Sequence, residues 1–381
     1  MTIINIRNLS RLLCLLMMML FAGCSEDKSN IVPDPTPYNF EIPPFFPTQL
    51  NIPEDNPMTV EGIDLGRNLF YDGRIIGRAN EGKYMSCGTC HRQENSFEIG
   101  LNRPFPIGID GGSTHNVMLP MINLVWNQNG YGWNGSVTSI EQDVIITINS
   151  SSEFNSSPEA VVNAIENIDG YAELFEKAFG TKEVTIDRVA KAISQFIRTL
   201  ISYNSRFDKY MRGDVQLTDE ELSGFILFTT EEGADCFHCH GGDGNPLFTT
   251  NLFYNHGFDS LFSGANEDFG DRYHITGDEM DRGAYKATTL RNIEFTGPYM
   301  HDGRYETLEE VIDAYSFDLI WSPYINPLMH HISDGGILMT PKEKNDLMAF
   351  LRTLSDYEFL ENKDFGAPDE FPDGATLQDF R

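Results

Sequence analysis

Residues 234–242 read ADCFHCHGG, which places Cys236 and Cys239 three positions apart and directly before His240. The same unit occurs earlier as CGTCH, with Cys87 and Cys90 before His91. The chain has six cysteines: Cys14 and Cys24 lie in the first two dozen residues and these units use the other four, so none is left for a structural disulfide. A Cys-x-x-Cys pair alone suits half a zinc site or a redox dithiol. Zinc fits poorly, because the two pairs lie almost 150 residues apart, against roughly 15–20 in a zinc ribbon, and each histidine would go unused. A dithiol explains neither histidine. Covalent c-type haem uses every group, with two thioethers to the vinyl carbons and the adjacent histidine as proximal iron ligand.

Around the two units the chain repeats itself. Gly66-x-x-Leu69-Phe70 precedes the first and Gly224-x-x-Leu227-Phe228 the second, each inside an apolar-periodic segment that reads as a helix. Thr218 and Glu221 form a capping box ahead of the second of these helices, and Thr340-Pro341-Lys342-Glu343 opens another. TIDRVAKAISQFIRTLI sets Ile186, Val189, Ile193, Phe196, Ile197 and Leu200 on one stripe. The expected fold is therefore mostly α: two cytochrome c-like helical domains, over 45–180 and 181–358, each with one covalently bound c-type haem. An acidic tail is expected over 359–381.

Arg7 and Arg11 precede the apolar run LLCLLMMMLFAGC, which has the layout of a secretory signal. Ala22-Gly23-Cys24 resembles a bacterial lipobox, with Phe21 where leucine is commoner. Residues 1–23 are thus expected to be a lipoprotein signal peptide, and 24–44, rich in proline and polar side chains, a flexible tether. The expected location is the cell envelope, lipid-anchored in the periplasm or outer membrane or surface-exposed, with no other membrane attachment. Acidic residues outnumber basic ones 57 to 27. That argues against nucleic acid and suits either a basic protein partner or a solubilising surface.

As a whole the sequence resembles the bacterial dihaem cytochrome c peroxidases and the related dihaem enzyme MauG. The resemblance spans about 46–358 and rests on LGRNLFYDGR, CGTCH, NLVWNQNGYGWNG, RTLISYNSRFDKYMRGD, CFHCH, TLRNIEFTGPYMHDGRYETLEEVI and LMAFLRTLSD. It implies that His91 is the proximal ligand of a peroxide-binding haem and that Glu153 is the distal carboxylate, a group able to relay a proton between the two peroxide oxygens. Where the family has glutamine ten residues earlier, this chain has Asp143 beside Gln142. Trp133 matches the tryptophan between the two haems. Asn116, Thr296 and Pro298 match a calcium site, whose oxygen donors suit Ca2+. His301 matches a histidine near the second haem.

The second haem would have His240 as proximal ligand. Its opposite ligand is methionine in the peroxidases, but TLEEVIDAY puts Tyr315 at that place, as in MauG; Met300, sixty residues after His240, is the rival. The loop FPIGIDGGSTHNV carries only the late His115 where reductively activated peroxidases place a capping histidine. Three functions follow from the resemblance: a peroxidase that takes electrons from a small cytochrome c or cupredoxin to reduce hydrogen peroxide, a MauG-like oxidase of a protein or small molecule, or a dihaem electron carrier. A homodimer is a further expected partnership.

Overall fold

The computed structural model describes residues 34–80, 82–101, 105–241, 244–260 and 270–380. The signal-peptide expectation, with Cys14 and Cys24, lies outside them. The body from Pro35 onward is mostly helical, and its one two-stranded sheet pairs β1 (Phe253–Tyr254) antiparallel to β2 (Tyr285–Lys286).

Two hydrophobic cores organise this body. In the first, helix α1 (Val60–Tyr71) starts at Thr59, whose hydroxyl accepts from Gly62 N at 3.0 Å, and buries Leu65, Leu69 and Phe70. It crosses α2 (Ile186–Arg198), which buries the predicted stripe from Val189 to Ile197. Gly66 sits at the crossing, where a Cβ would come within 1.9 Å of Ala192 O. The second core repeats the device. Helix α3 (Asp219–Phe228) crosses α5 (Pro341–Arg352), and a Cβ on Gly224 would come within 1.9 Å of Asp346 O. Both expected capping boxes form: Thr218 with Glu221, and Thr340 with Glu343. Between them runs α4 (Leu308–Phe317), capped by Thr307 and Glu310.

A matching buried ion pair belongs to each half. Arg198 grips Glu141 at 2.6 and 3.0 Å, and Arg291 grips Asp208 at 2.8 and 2.6 Å. Two-pronged geometry of this kind satisfies the guanidinium where water cannot.

Three expected boundaries change. The first core extends past residue 180, because Val184, Ile193, Phe196 and Leu200 all pack in it. Residues 359–380 are a strap on that core, not a free tail: Phe359 and Phe371 are buried, Tyr71 Oη donates to Phe365 O at 2.7 Å, and Arg74 pairs with Asp373 at 2.5 Å. The segment's acidity masked its regularly placed phenylalanines. The tether also ends early, since Tyr38 N bonds Met58 O at 2.9 Å and Phe40 packs beside Phe46 and Trp126.

Candidate active site

Each Cys-x-x-Cys-His unit folds as one helical turn against a cavity of its own. The first cavity, about 300 Å³, is lined by Cys87, Cys90 and His91 with an apolar wall that includes Phe70, Ile122, Val144 and Ile193. His91 Nδ1 lies 2.8 Å from Phe97 O. Donation to that carbonyl fixes the tautomer that leaves Nε2 as the electron-pair donor, the arrangement usual for a metal-bound imidazole. Burial lowers the His91 pKa to about 4, so the ring is neutral and ready to ligate. Cys87, enclosed by apolar surface and beside Cys90, is pushed up to about 12.

The second cavity, about 190 Å³, is lined by Cys236, Cys239 and His240. His240 Nδ1 lies 3.0 Å from Thr288 O, and burial lowers its pKa to about 4. All four cysteines are partly enclosed. Paired thiols, a neutral oriented imidazole and an apolar cavity fit a haem c at both places, and the orientation of the two histidines by backbone carbonyls argues for iron ligation over a packing role.

The groups opposite the motifs differ. In the first cavity they are carboxylates. Asp143 lines this cavity with an exposed side chain, and desolvation by the nearby protein pushes its carboxyl up to about 6. Glu153 lines the same cavity; burial raises its pKa, as does the neighbouring Asp143 charge, while hydrogen bonds from Thr147 and Ser150 oppose the rise. The turn carrying Glu153 is held by Ile109 N, which donates to Glu153 O at 2.7 Å. Gly108 permits that approach, because a Cβ there would lie 2.4 Å from Ser152 O. His115 is exposed and does not line the cavity, which leaves the carboxylate side without a histidine cap from this loop.

The second cavity is lined instead by Tyr315, Met300, His256 and His301, with Asp235 beside the motif as its carboxylate. Tyr315 is half-buried at the cavity wall, and desolvation holds its phenol well above the ordinary range. Met300 also faces this cavity, with a left-handed backbone at φ 71°. His301 stacks on Tyr285 with ring centres 3.7 Å apart.

Trp133 lines both cavities. Its Nε1 donates to Val117 O at 2.7 Å, and its carbonyl accepts from Lys286 N at 2.8 Å. Lys286 is a residue that the motifs do not reveal: it too lines both cavities, and burial lowers its ammonium to about 8. A lone lysine in GAYKATT carries no pattern, and a long-range backbone hydrogen bond is what joins it to Trp133.

Asn116, Thr296 and Pro298 belong to neighbouring segments. Val117 N donates to His301 O at 3.0 Å, and Gly303 packs between Val117 and Pro298. Asn116 Oδ1 is buried with no hydrogen-bond partner, an acceptor that a cation would satisfy.

A helical body with two such cavities is the architecture of a dihaem oxidoreductase. The family model for "Di-haem cytochrome c peroxidase" matches residues 60–216. The chain is 32% identical over 311 residues to the methylamine utilization protein MauG of Methylorubrum extorquens, covering 81% of this chain and 82% of that one. It is 32% identical over 263 residues to the cytochrome c551 peroxidase of Nitrosomonas europaea, covering 68% and 73%. The crystal structure of a MauG-like protein associated with microbial copper homeostasis superposes with a TM-score of 0.76 at 32% identity, over 87% of this chain and 99% of that one. The chain belongs to the dihaem cytochrome c peroxidase/MauG family, and it is an oxidoreductase.

Proposed function

We propose that each Cys-x-x-Cys-His turn carries a covalently attached haem c and that the protein reduces hydrogen peroxide to water with two electrons from a small redox protein, a cytochrome c or a cupredoxin. The observation that carries this reading is the pair of carboxylates, Glu153 and Asp143, placed in the cavity of His91, whereas the carboxylate lining the cavity of His240 is Asp235, beside Cys236 in the motif itself. When bound, the first haem supplies the iron that takes up peroxide and the second stores and passes electrons. The protein does the rest. Glu153 takes a proton from one peroxide oxygen and returns it to the other as the O–O bond breaks, and the neighbouring Asp143 charge raises its affinity for that proton. The apolar wall excludes bulk water, and Trp133 offers a polarizable group shared by both cavities.

Tyr315 is proposed as the sixth ligand in the second cavity, with Met300 as the alternative. The half-buried Tyr315 phenol lines that cavity and offers an oxygen donor there. An oxygen ligand favours oxidised iron, which supports a second reading: oxidation of a protein or small molecule in the manner of MauG. Steady-state turnover of peroxide with reduced cytochrome c distinguishes the two, being fast under the first reading and slow under the second.

A calcium ion held by Asn116 Oδ1 and the carbonyls of Thr296 and Pro298 is proposed to join the neighbouring segments, and chelation should then lower the melting temperature. Lipidation at Cys24 and residence in the cell envelope are likewise proposed; labelled palmitate incorporation should vanish in Cys24→Ala. The haem proposal is tested by mass spectrometry of protein matured with a haem-ligation system. Two added haems that survive denaturation are expected, and a zinc-loaded, haem-free product would overturn it.

A further inference from the structure

One polar cluster at the second motif takes no part in the chemistry above. Asp235 immediately precedes Cys236, and its two carboxylate oxygens are shared between two histidines: Oδ1 lies 2.6 Å from His238 Nδ1, and Oδ2 lies 3.0 Å from His330 Nδ1. The imidazole rings stand at 86° to each other with centres 5.3 Å apart. One donor atom from each of the three residues falls within 4.8 Å of the others, the only such trio among the described residues. Asp235 and His238 are partly buried and His330 is exposed, so water can complete a coordination shell. A further carboxylate, Glu231 Oε1, lies 3.6 Å from His238 Nε2.

The geometry points to a binding site for a divalent transition metal of the zinc and copper class, held by His238 Nδ1, His330 Nδ1 and the Asp235 carboxylate. Two imidazoles and one carboxylate with an open position are donors that suit Zn2+ and Cu2+ and suit Ca2+ or Mg2+ poorly. The cation replaces the two protons that Asp235 shares with the rings. Asp235 has a left-handed backbone at φ 53°, which turns its carboxylate out of the haem-motif turn toward the 330s segment. His330 opens a short 3₁₀ turn, His330–Asp334, while its neighbour His331 bonds Glu231 O at 3.0 Å and keeps the two segments together. Asp235 and His330 both line the second cavity, so the metal would clamp segments about 95 positions apart in sequence across the rim of that cavity. The site is independent of how the haem-borne chemistry is read.

The test uses the haem-loaded mature protein with any affinity tag removed. Calorimetric titration with Zn2+ should show one tight site per chain and a higher melting temperature when it is filled. His330→Ala removes a ligand from an exposed position and should weaken binding by more than the roughly 10–100-fold that loss of a mere supporting hydrogen bond costs. His274→Ala, at a histidine that lines neither cavity, should leave binding unchanged. Asp235→Asn, which tolerates the left-handed backbone, should weaken it as well. With Cu2+ in place of Zn2+, the copper EPR signal should show splitting from two nitrogens, falling to one in His330→Ala. Equal affinity in the wild-type and His330→Ala proteins, or no stoichiometric site in the wild type, would show that Asp235 only orients the two histidines by hydrogen bonds.

Discussion

The two halves of this protein share a scaffold and differ in what they aim at it. Each crosses a pair of helices on a glycine, Gly66 on Ala192 and Gly224 on Asp346. Each buries an arginine–carboxylate fork and presents a neutral, carbonyl-oriented histidine to an apolar cavity. Yet the first cavity receives Asp143 and Glu153, groups that move protons, while the second receives Tyr315 and Met300, groups that ligate or pack. A repeated frame gives two similar cofactor environments, and under the proposed function the differing side chains that line them would give bond-breaking chemistry to one and electron handling to the other.

The largest effect should come from removing the acid–base group from the first cavity. Glu153→Gln keeps the shape and removes the proton acceptor, so peroxide should still bind while its O–O cleavage slows by about 10²–10⁴, measured by stopped-flow spectroscopy. Tyr315→Phe in the other cavity should leave that first step nearly unchanged. A wild-type rate in Glu153→Gln would move the role to Asp143.

Next come the two ion pairs. Asp208→Asn strands the wholly buried Arg291 and should cost about 3–5 kcal/mol in denaturant unfolding. Glu141→Gln should cost less, because the Glu141 side chain is 16% exposed against 8% for Asp208. Burial alone would raise the Asp208 carboxyl, but Arg291 and Ser205 bring it below its usual range. Its contribution is therefore present above the unfolded value of about 3.9 and is lost as pH falls through the folded one. If the two variants are equally mild, the forks are not what fixes the scaffold.

Gly66→Ala and Gly224→Ala test the shared scaffold directly. Each forces a methyl group into a backbone carbonyl, and each should destabilise by about 1–3 kcal/mol. Unequal losses would mean that the two crossings are not equivalent.

Much of this arrangement was legible in the sequence. The paired motifs, the two Gly-x-x-Leu-Phe segments and the capping boxes are local patterns, and local patterns survive in one dimension. The roles of Lys286, of the 359–380 strap and of the shared forks were not legible. Lys286 meets Trp133 through a long-range backbone hydrogen bond, and Arg291 meets Asp208 across 83 positions. No periodicity records such encounters. The strap was hidden by composition, since its acidic residues outvote the phenylalanines that anchor it.

A smaller effect concerns pH. The rate of peroxide reaction should rise with pH as Glu153, whose pKa burial and the Asp143 charge raise above the usual carboxylate value, passes into its base form. Asp143→Asn removes the neighbouring negative charge that raises Glu153, so this limb should move to lower pH in a stopped-flow pH series. An unmoved limb would show that the two groups do not interact.

The division of labour between the cavities is tested most directly by the ferric spectra of the haem-loaded protein, combining EPR with near-infrared magnetic circular dichroism, for wild type, Tyr315→Phe and Met300→Ala. One high-spin site that responds to peroxide and one histidine–oxygenate site without a methionine charge-transfer band are predicted, with only Tyr315→Phe altering the second. Two six-coordinate low-spin sites, with a methionine band that disappears in Met300→Ala and no change in Tyr315→Phe, would contradict the account.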